Sequence, residues 1–231
     1  MQGRRDPAVS ASAPKTPGFA HSTLGDFTRD LASRRSVPGG GAAAGSALAH
    51  AAALGSMVVA FSRGKRKFEA HEELLAEAED RLERTRARAL ELADADARGF
   101  EVLASLWPLE ENDPVRVEQW PGAVTGAIEP PRELVSLAHE TNGVLLRLVG
   151  RTSRMLRSDL AIATSFASLA ADAAAWNVRM NLDAFRDLPD RAREAEEMES
   201  TMSRLLEECR EITGRIDRAC LEDRDTPVID T

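Results

Sequence analysis

Residues 38–60 read PGGGAAAGSALAHAAALGSMVVA. Pro38 and the triplet Gly39, Gly40, Gly41 punctuate a turn. Residues 42–62 then carry no charge and are mostly Ala, Leu, Val and Met. Small residues on every side of a helix let neighbours close in around it, which makes this the central helix of a bundle. A bilayer span has the same length. Nine of residues 42–60, however, are Ala. Leu48, Leu54, Val58 and Val59 each favour insertion by only about 0.3 to 0.6 kcal/mol, and His50 opposes it. No membrane partner is expected, and His50 is read as a hydrogen-bonded core histidine.

Helical periodicity extends outward from this stretch in both directions. Leu24, Phe27 and Leu31 give residues 23–32 an amphipathic face. Residues 34–41 are a loop. A long helix is expected over 67–106, ended by Trp107-Pro108, with loop continuing to Pro114. Two shorter helices fit 115–128 and 131–149, because Pro130 and Pro131 stand between them. Residues 158–185 and 190–221 complete the set. No segment alternates as a strand does. The expectation is an all-α, single-domain helical bundle over 23–222, dimeric, with a disordered N-terminal tail at 1–22 and a second tail at 223–231.

Composition narrows the function. The 231 residues carry 30 basic and 38 acidic side chains, a net charge of −8. Seven Phe, three Trp and no Tyr make a poor stacking platform. Both facts argue against nucleic acid as a partner. Cys209 and Cys220 stand about 16 Å apart along one helix and cannot bridge there. With no metal-ligand spacing around them, the chain reads as reduced and cytoplasmic. The first twenty residues contain no apolar h-region of a secretory signal.

Four places carry possible chemistry. The glycine turn before an apolar helix exposes unpaired N–H groups beside the positive end of the helix dipole, an anion site. Gly39, Gly41 and Ala44 also fit a dinucleotide fingerprint, but no strand precedes them. On the long helix, Phe68, Leu75, Leu82, Ala89 and Leu103 recur at steps of seven, and the missing position is Asp96. A carboxylate on a core-facing stripe has a tunable pKa. Asp94 points away and is expected in solvent. The run RGKRK at 63–67 supplies Lys65 and Lys67 as point charges for an anion. On the fourth segment Asn177 and Asn181 share a face, while Asp159 lies about 27 Å from Asn177 along the axis. Those residues serve one small site only across a symmetric dimer.

The order PGGG, GKRKF, DADARGF, SDLAIA, NVRMN resembles the cyclodeaminase/cyclohydrolase family. That family comprises the C-terminal half of formiminotransferase-cyclodeaminase and stand-alone relatives, including methenyltetrahydrofolate cyclohydrolases. The resemblance covers about residues 24–188. It implies an all-helical homodimer, or a larger even oligomer, whose substrate is a tetrahydrofolate derivative and which uses no metal or redox cofactor. It also implies Asp96 as the catalytic acid–base. Gly39, Gly40, Gly41, Lys65, Lys67, Asp159, Asn177 and Asn181 are then the substrate-binding residues, with Asp159 and Asn177 supplied by the partner subunit. Three departures stand out: Ala42 where the family usually has Ser, Phe68 where it has Tyr, and Gly150-Arg151 where it often shows a Gly-Asn pair. The competing reading is a non-catalytic or redirected helical scaffold of the same family. The seam Met198, Met202, Leu205, Cys209, Ile212, Ile216, Cys220 on the last helix suits it as a dimer contact, and equally suits packing on the chain's own bundle.

Overall fold

The computed structural model describes residues 18–222. The tails expected at 1–17 and 223–231 lie outside the described residues. Within the segment assigned to the first tail, Phe19–His21 form a 3-10 turn. Six α-helices follow: α1 Leu24–Leu31, α2 Gly40–Ala60, α3 Glu72–Leu106, α4 Pro114–Leu148, α5 Arg157–Arg186 and α6 Ala192–Glu222. No strand occurs among the described residues.

Helices α2 to α5 run up and down in order and close into a ring, since α2 packs on both α3 and α5. Helix α6 lies outside, against α4 and α5. The small residues of α2 make its central place possible. A Cβ added at Gly45 would stand 2.6 Å from the carbonyl oxygen of Ala89 on α3, and one at Gly55 would stand 2.8 Å from Leu145 on α4. Although α2 is long and apolar enough to cross a membrane, Leu48, Ala51, Ala52, Val58 and Val59 are wholly buried within the bundle. His50 departs from the sequence reading. It is exposed, with Nδ1 2.7 Å from the Ser46 carbonyl oxygen and its ring stacked on Phe166 of α5.

Helix α4 is a correction. Two helices were expected, yet one runs from Pro114 to Leu148 through Pro121, Pro130 and Pro131. A proline inside a helix leaves the carbonyl four residues earlier without its N–H partner. For Pro130 and Pro131 those carbonyls belong to Gly126 and Ala127. The Gly126 oxygen packs against Gly99 of α3, so close that a Cβ there would be 2.4 Å away. The Ala127 oxygen accepts from Asn181 of α5 at 3.5 Å, the long limit of a hydrogen bond. A neighbouring helix thus compensates part of the break that the sequence predicts.

Ion pairs and a polar network fix the register. Arg88–Glu133 and Arg147–Glu77 join α3 to α4, each through two nitrogens. Between α4, α5 and α6, Asn142 donates to Ser168 and accepts from Thr164, and Ser168 meets Thr213. Of the two readings of the α6 seam, packing on its own bundle is the one observed. Met198, Met202, Leu205, Cys209 and Ile216 are buried against their own bundle.

Candidate functional site

The glycine turn reaches α2 through a cis Val37–Pro38 bond, with Gly39 as N-cap. No side chain caps the first turn of α2, so its leading N–H groups are left for another partner. Asp96, three turns from the end of α3, lies directly over this turn. A Cβ on Gly41 would fall 2.0 Å from its Oδ2. Only glycine admits the carboxylate here. Across the opening stand Asn177 and Asn181 of α5, with Asn177 Oδ1 3.6 Å from where a Gly40 Cβ would sit. Phe100, Ala127, Ser36 and Val37 complete a cleft of about 190 Å³.

Asp96 has neither hydrogen bond nor ion pair among the described residues. Burial pushes its carboxyl from an ordinary 3.8 up to about 6. The positive end of α2 favours the anion, but loss of water outweighs it. Both asparagine amides are tied to backbone: Asn177 Nδ2 donates to the Ala173 carbonyl and Asn181 Nδ2 to the Asn177 carbonyl. Their side-chain oxygens remain as acceptors. The cleft therefore offers a proton-transferring carboxyl, helix N–H donors and amide oxygens around one small space.

The structure gathers six of the nine expected residues here: Gly39, Gly40, Gly41, Asp96, Asn177 and Asn181. Asn177 shares the cleft with Asp96 of its own chain, a correction to its expected supply by a partner. Lys65, Lys67 and Asp159 are not here. The 21 residues of α2 span about 31 Å, and Lys65 and Lys67 follow its far end. The Ser153 N–H donates to Ser62 Oγ at 3.0 Å, which brings the start of α5, and Asp159, to that same far end. Two of the three family departures also lie there. Phe68 is buried in the core of that end, under the Lys67 ammonium. Gly150 ends the turn after α4.

Sequence reasoning missed two contributors. The Ala127 carbonyl enters the cleft because Pro131 frees it, a signal present in the sequence but read as a helix break. Asp94, expected in solvent, accepts the Phe19 N–H at 2.9 Å and anchors the chain before α1.

Fold and cleft together describe a helical-bundle protein with a desolvated carboxyl in a cleft at one end. Residues 23–200 match the family model for Formiminotransferase-cyclodeaminase, and the chain belongs to that family. It is 29% identical over 212 residues to formimidoyltransferase-cyclodeaminase of Gallus gallus, covering 90% of this chain and 38% of that protein. The Sus scrofa counterpart is 29% identical over 194 residues, covering 82% and 35%. The chain thus spans less than two fifths of these relatives. Among solved structures, formiminotetrahydrofolate cyclodeaminase from Thermotoga maritima superposes with a TM-score of 0.71 at 23% identity, covering 88% of this chain and 96% of that one. That likeness shows the fold.

Proposed function

We propose that the chain is a folate one-carbon enzyme. It hydrolyses 5,10-methenyltetrahydrofolate to 10-formyltetrahydrofolate, or closes 5-formiminotetrahydrofolate to the methenyl form with release of ammonia, or both. The observation that carries this is the Asp96 carboxyl, unpaired, desolvated and held over Gly41. With a pKa of about 6 it exchanges a proton readily near neutral pH.

In the hydrolysis, Asp96 as carboxylate faces the cationic methenyl carbon and stabilises it. Water adds to that carbon, a C–O bond forms, and Asp96 takes one proton of the water. Asp96 then returns the proton to N5 of the folate as the C–N5 bond breaks. The carbinol proton leaves to solvent and the formyl group stays on N10. In the ring closure, N10 attacks the formimino carbon and its proton passes to the formimino nitrogen. Protonated Asp96 gives that nitrogen a second proton as its bond to carbon breaks, releasing ammonia and leaving the methenyl cation. The α2 N–H groups and the two asparagine oxygens hold the pterin amide. Neither reaction calls on a metal or redox cofactor, and the reading places the enzyme in the cytoplasm.

The reading also makes the enzyme a homodimer. On α5, Ile162, Leu169, Trp176 and Met180 are large and exposed, at 47%, 57%, 63% and 77%. With Phe166 and Ala173 they form a three–four seam. The seam is symmetric about residue 171. Antiparallel pairing of two copies seats Ile162 on Met180, Phe166 on Trp176 and Leu169 on Ala173. It sets Asp159 of one copy level with Asp183 of the other, which is ion-paired to Arg186. In height Asp159 is then about 3 Å from Asn181 of the second copy. Lys65, Lys67 and Asp159 thereby serve the second copy's cleft.

Co-expressed Asp96→Asn and Asp159→Asn chains test this. Each alone is inactive. Half of a random mixture is heterodimer, with one of two sites intact, so about a quarter of wild-type activity returns. A mixture no better than its parents, or a fully active Asp159→Asn protein, contradicts the shared site.

A further inference from the structure

Beside the Asp96 cleft lies a second cavity with a different lining. Residues 18–39 cross the groove between α2 and α3 as a strap. One end is held by the Phe19 N–H bond to Asp94. The other is held at the cis Val37–Pro38 turn, where Pro38 is buried. Between these points α1 has no buried residue and packs on no other helix as the bundle helices pack on each other. Leu24 and Phe27 nevertheless border a space of about 180 Å³ beneath it, Leu24 remaining largely exposed. Phe19, Phe27, Leu24 and Leu90 give apolar walls, and Ser46 and His50 give the polar groups. Phe19 and Phe27 meet edge to face at 5.5 Å.

The two polar groups are set to receive something. A carbonyl oxygen only accepts, so the Nδ1 of His50 against Ser46 O is the protonated nitrogen, and Nε2 of the neutral ring is an acceptor. Stacking on Phe166 at 5.9 Å fixes the ring plane. The Ser46 hydroxyl has no partner among the described residues. A dry apolar cavity of about 150 Å³ takes one benzene ring, so this space takes one six-membered ring and no more. Ala42 lines it while the adjacent Gly41 lines the Asp96 cleft.

We propose that the cavity under the strap is a second binding subsite, for a neutral aromatic ring carrying an N–H donor. The ring slides between the Phe27 face and Leu90, and its N–H donates to His50 Nε2. Ser46 serves a carbonyl on the same ring. If the chain acts on folate, the benzoyl-glutamate amide on the substrate's ring has this chemistry, since N10 is spent in the Asp96 cleft, and that identification rests on the proposed function. The strap, free along α1, closes over the ring.

The probe is p-aminobenzoylglutamate with the full chain, followed by calorimetry. The wild type binds it, and His50→Ala and Phe27→Ser each weaken binding by about tenfold or more through loss of a hydrogen bond or a ring contact. Asp96→Asn leaves probe binding unchanged. His50 is exposed and Phe27 lies on a helix without buried residues, so both variants keep the fold, as far-ultraviolet circular dichroism verifies. No binding to the wild type, or wild-type affinity in both variants, overturns the subsite. Turnover of methenyltetrahydrofolate is measured in parallel. Turnover with strap-independent probe binding sinks the subsite and leaves the folate reading standing. Strap-dependent binding without turnover supports the subsite and sinks the folate reading.

Discussion

Asp96 and Gly41 form a pair that folding alone does not favour. A carboxyl raised from 3.8 to about 6 by burial is easier to ionise in the unfolded chain. The folded state is therefore penalised once the group ionises. The penalty is absent below about pH 4, grows as pH rises through 6, and reaches at most about 3 kcal/mol. Asp96→Asn removes it. Urea titrations should show the variant more stable than the wild type at pH 8, with the gap closing toward pH 4. A gap that is the same at both pH values contradicts the desolvation account. Gly41 bears the same mark. Alanine is the better helix former by about 1 kcal/mol, yet its methyl would occupy the carboxylate's place.

At the scale of the helices, glycine and proline decide how closely the bundle closes. Gly45→Ala drives a methyl toward the backbone oxygen of Ala89, 2.6 Å from its ideal position. Overpacking of that kind costs about 1–3 kcal/mol and outweighs the helix-propensity gain. Gly143→Ala in α4 meets nothing within 4 Å and should stabilise by up to about 1 kcal/mol. Thermal denaturation of the two variants checks the opposite signs, and two shifts of the same sign would contradict the close-packing account. The same physics sets what could be read beforehand. The α3 periodicity was legible because 3.6-residue spacing is local, α2 was legible from its charge-free run of small residues, and Asp96 was legible because it interrupts a stripe. The continuity of α4 was not, because the residues that pack on or bond to the carbonyls freed by Pro130 and Pro131 are Gly99 and Asn181, distant in sequence. The seat of Asp96 on Gly41 was hidden for the same reason. His50 was misread because a charge-free helix does not reveal which flank its neighbours leave open.

Across the whole molecule the candidate residues divide between two ends. The glycine turn, Asp96 and the asparagines sit at one end, and Lys65, Lys67 and Asp159 at the other, separated by the length of α2. In the proposed dimer, the exposed α5 seam is the face through which a second copy reunites them. The α6 seam does not compete for that role, since its residues are spent on the chain's own core. Catalysis at Asp96 is the claim on which the rest depends. Purified protein mixed with 5,10-methenyltetrahydrofolate, followed by near-ultraviolet absorbance against the uncatalysed hydrolysis, tests it directly. Wild-type protein should speed the loss of absorbance, with a rate that rises through pH 6, and Asp96→Asn should not. No acceleration, together with unchanged 5-formiminotetrahydrofolate, would contradict the enzyme and leave the helical scaffold reading in its place.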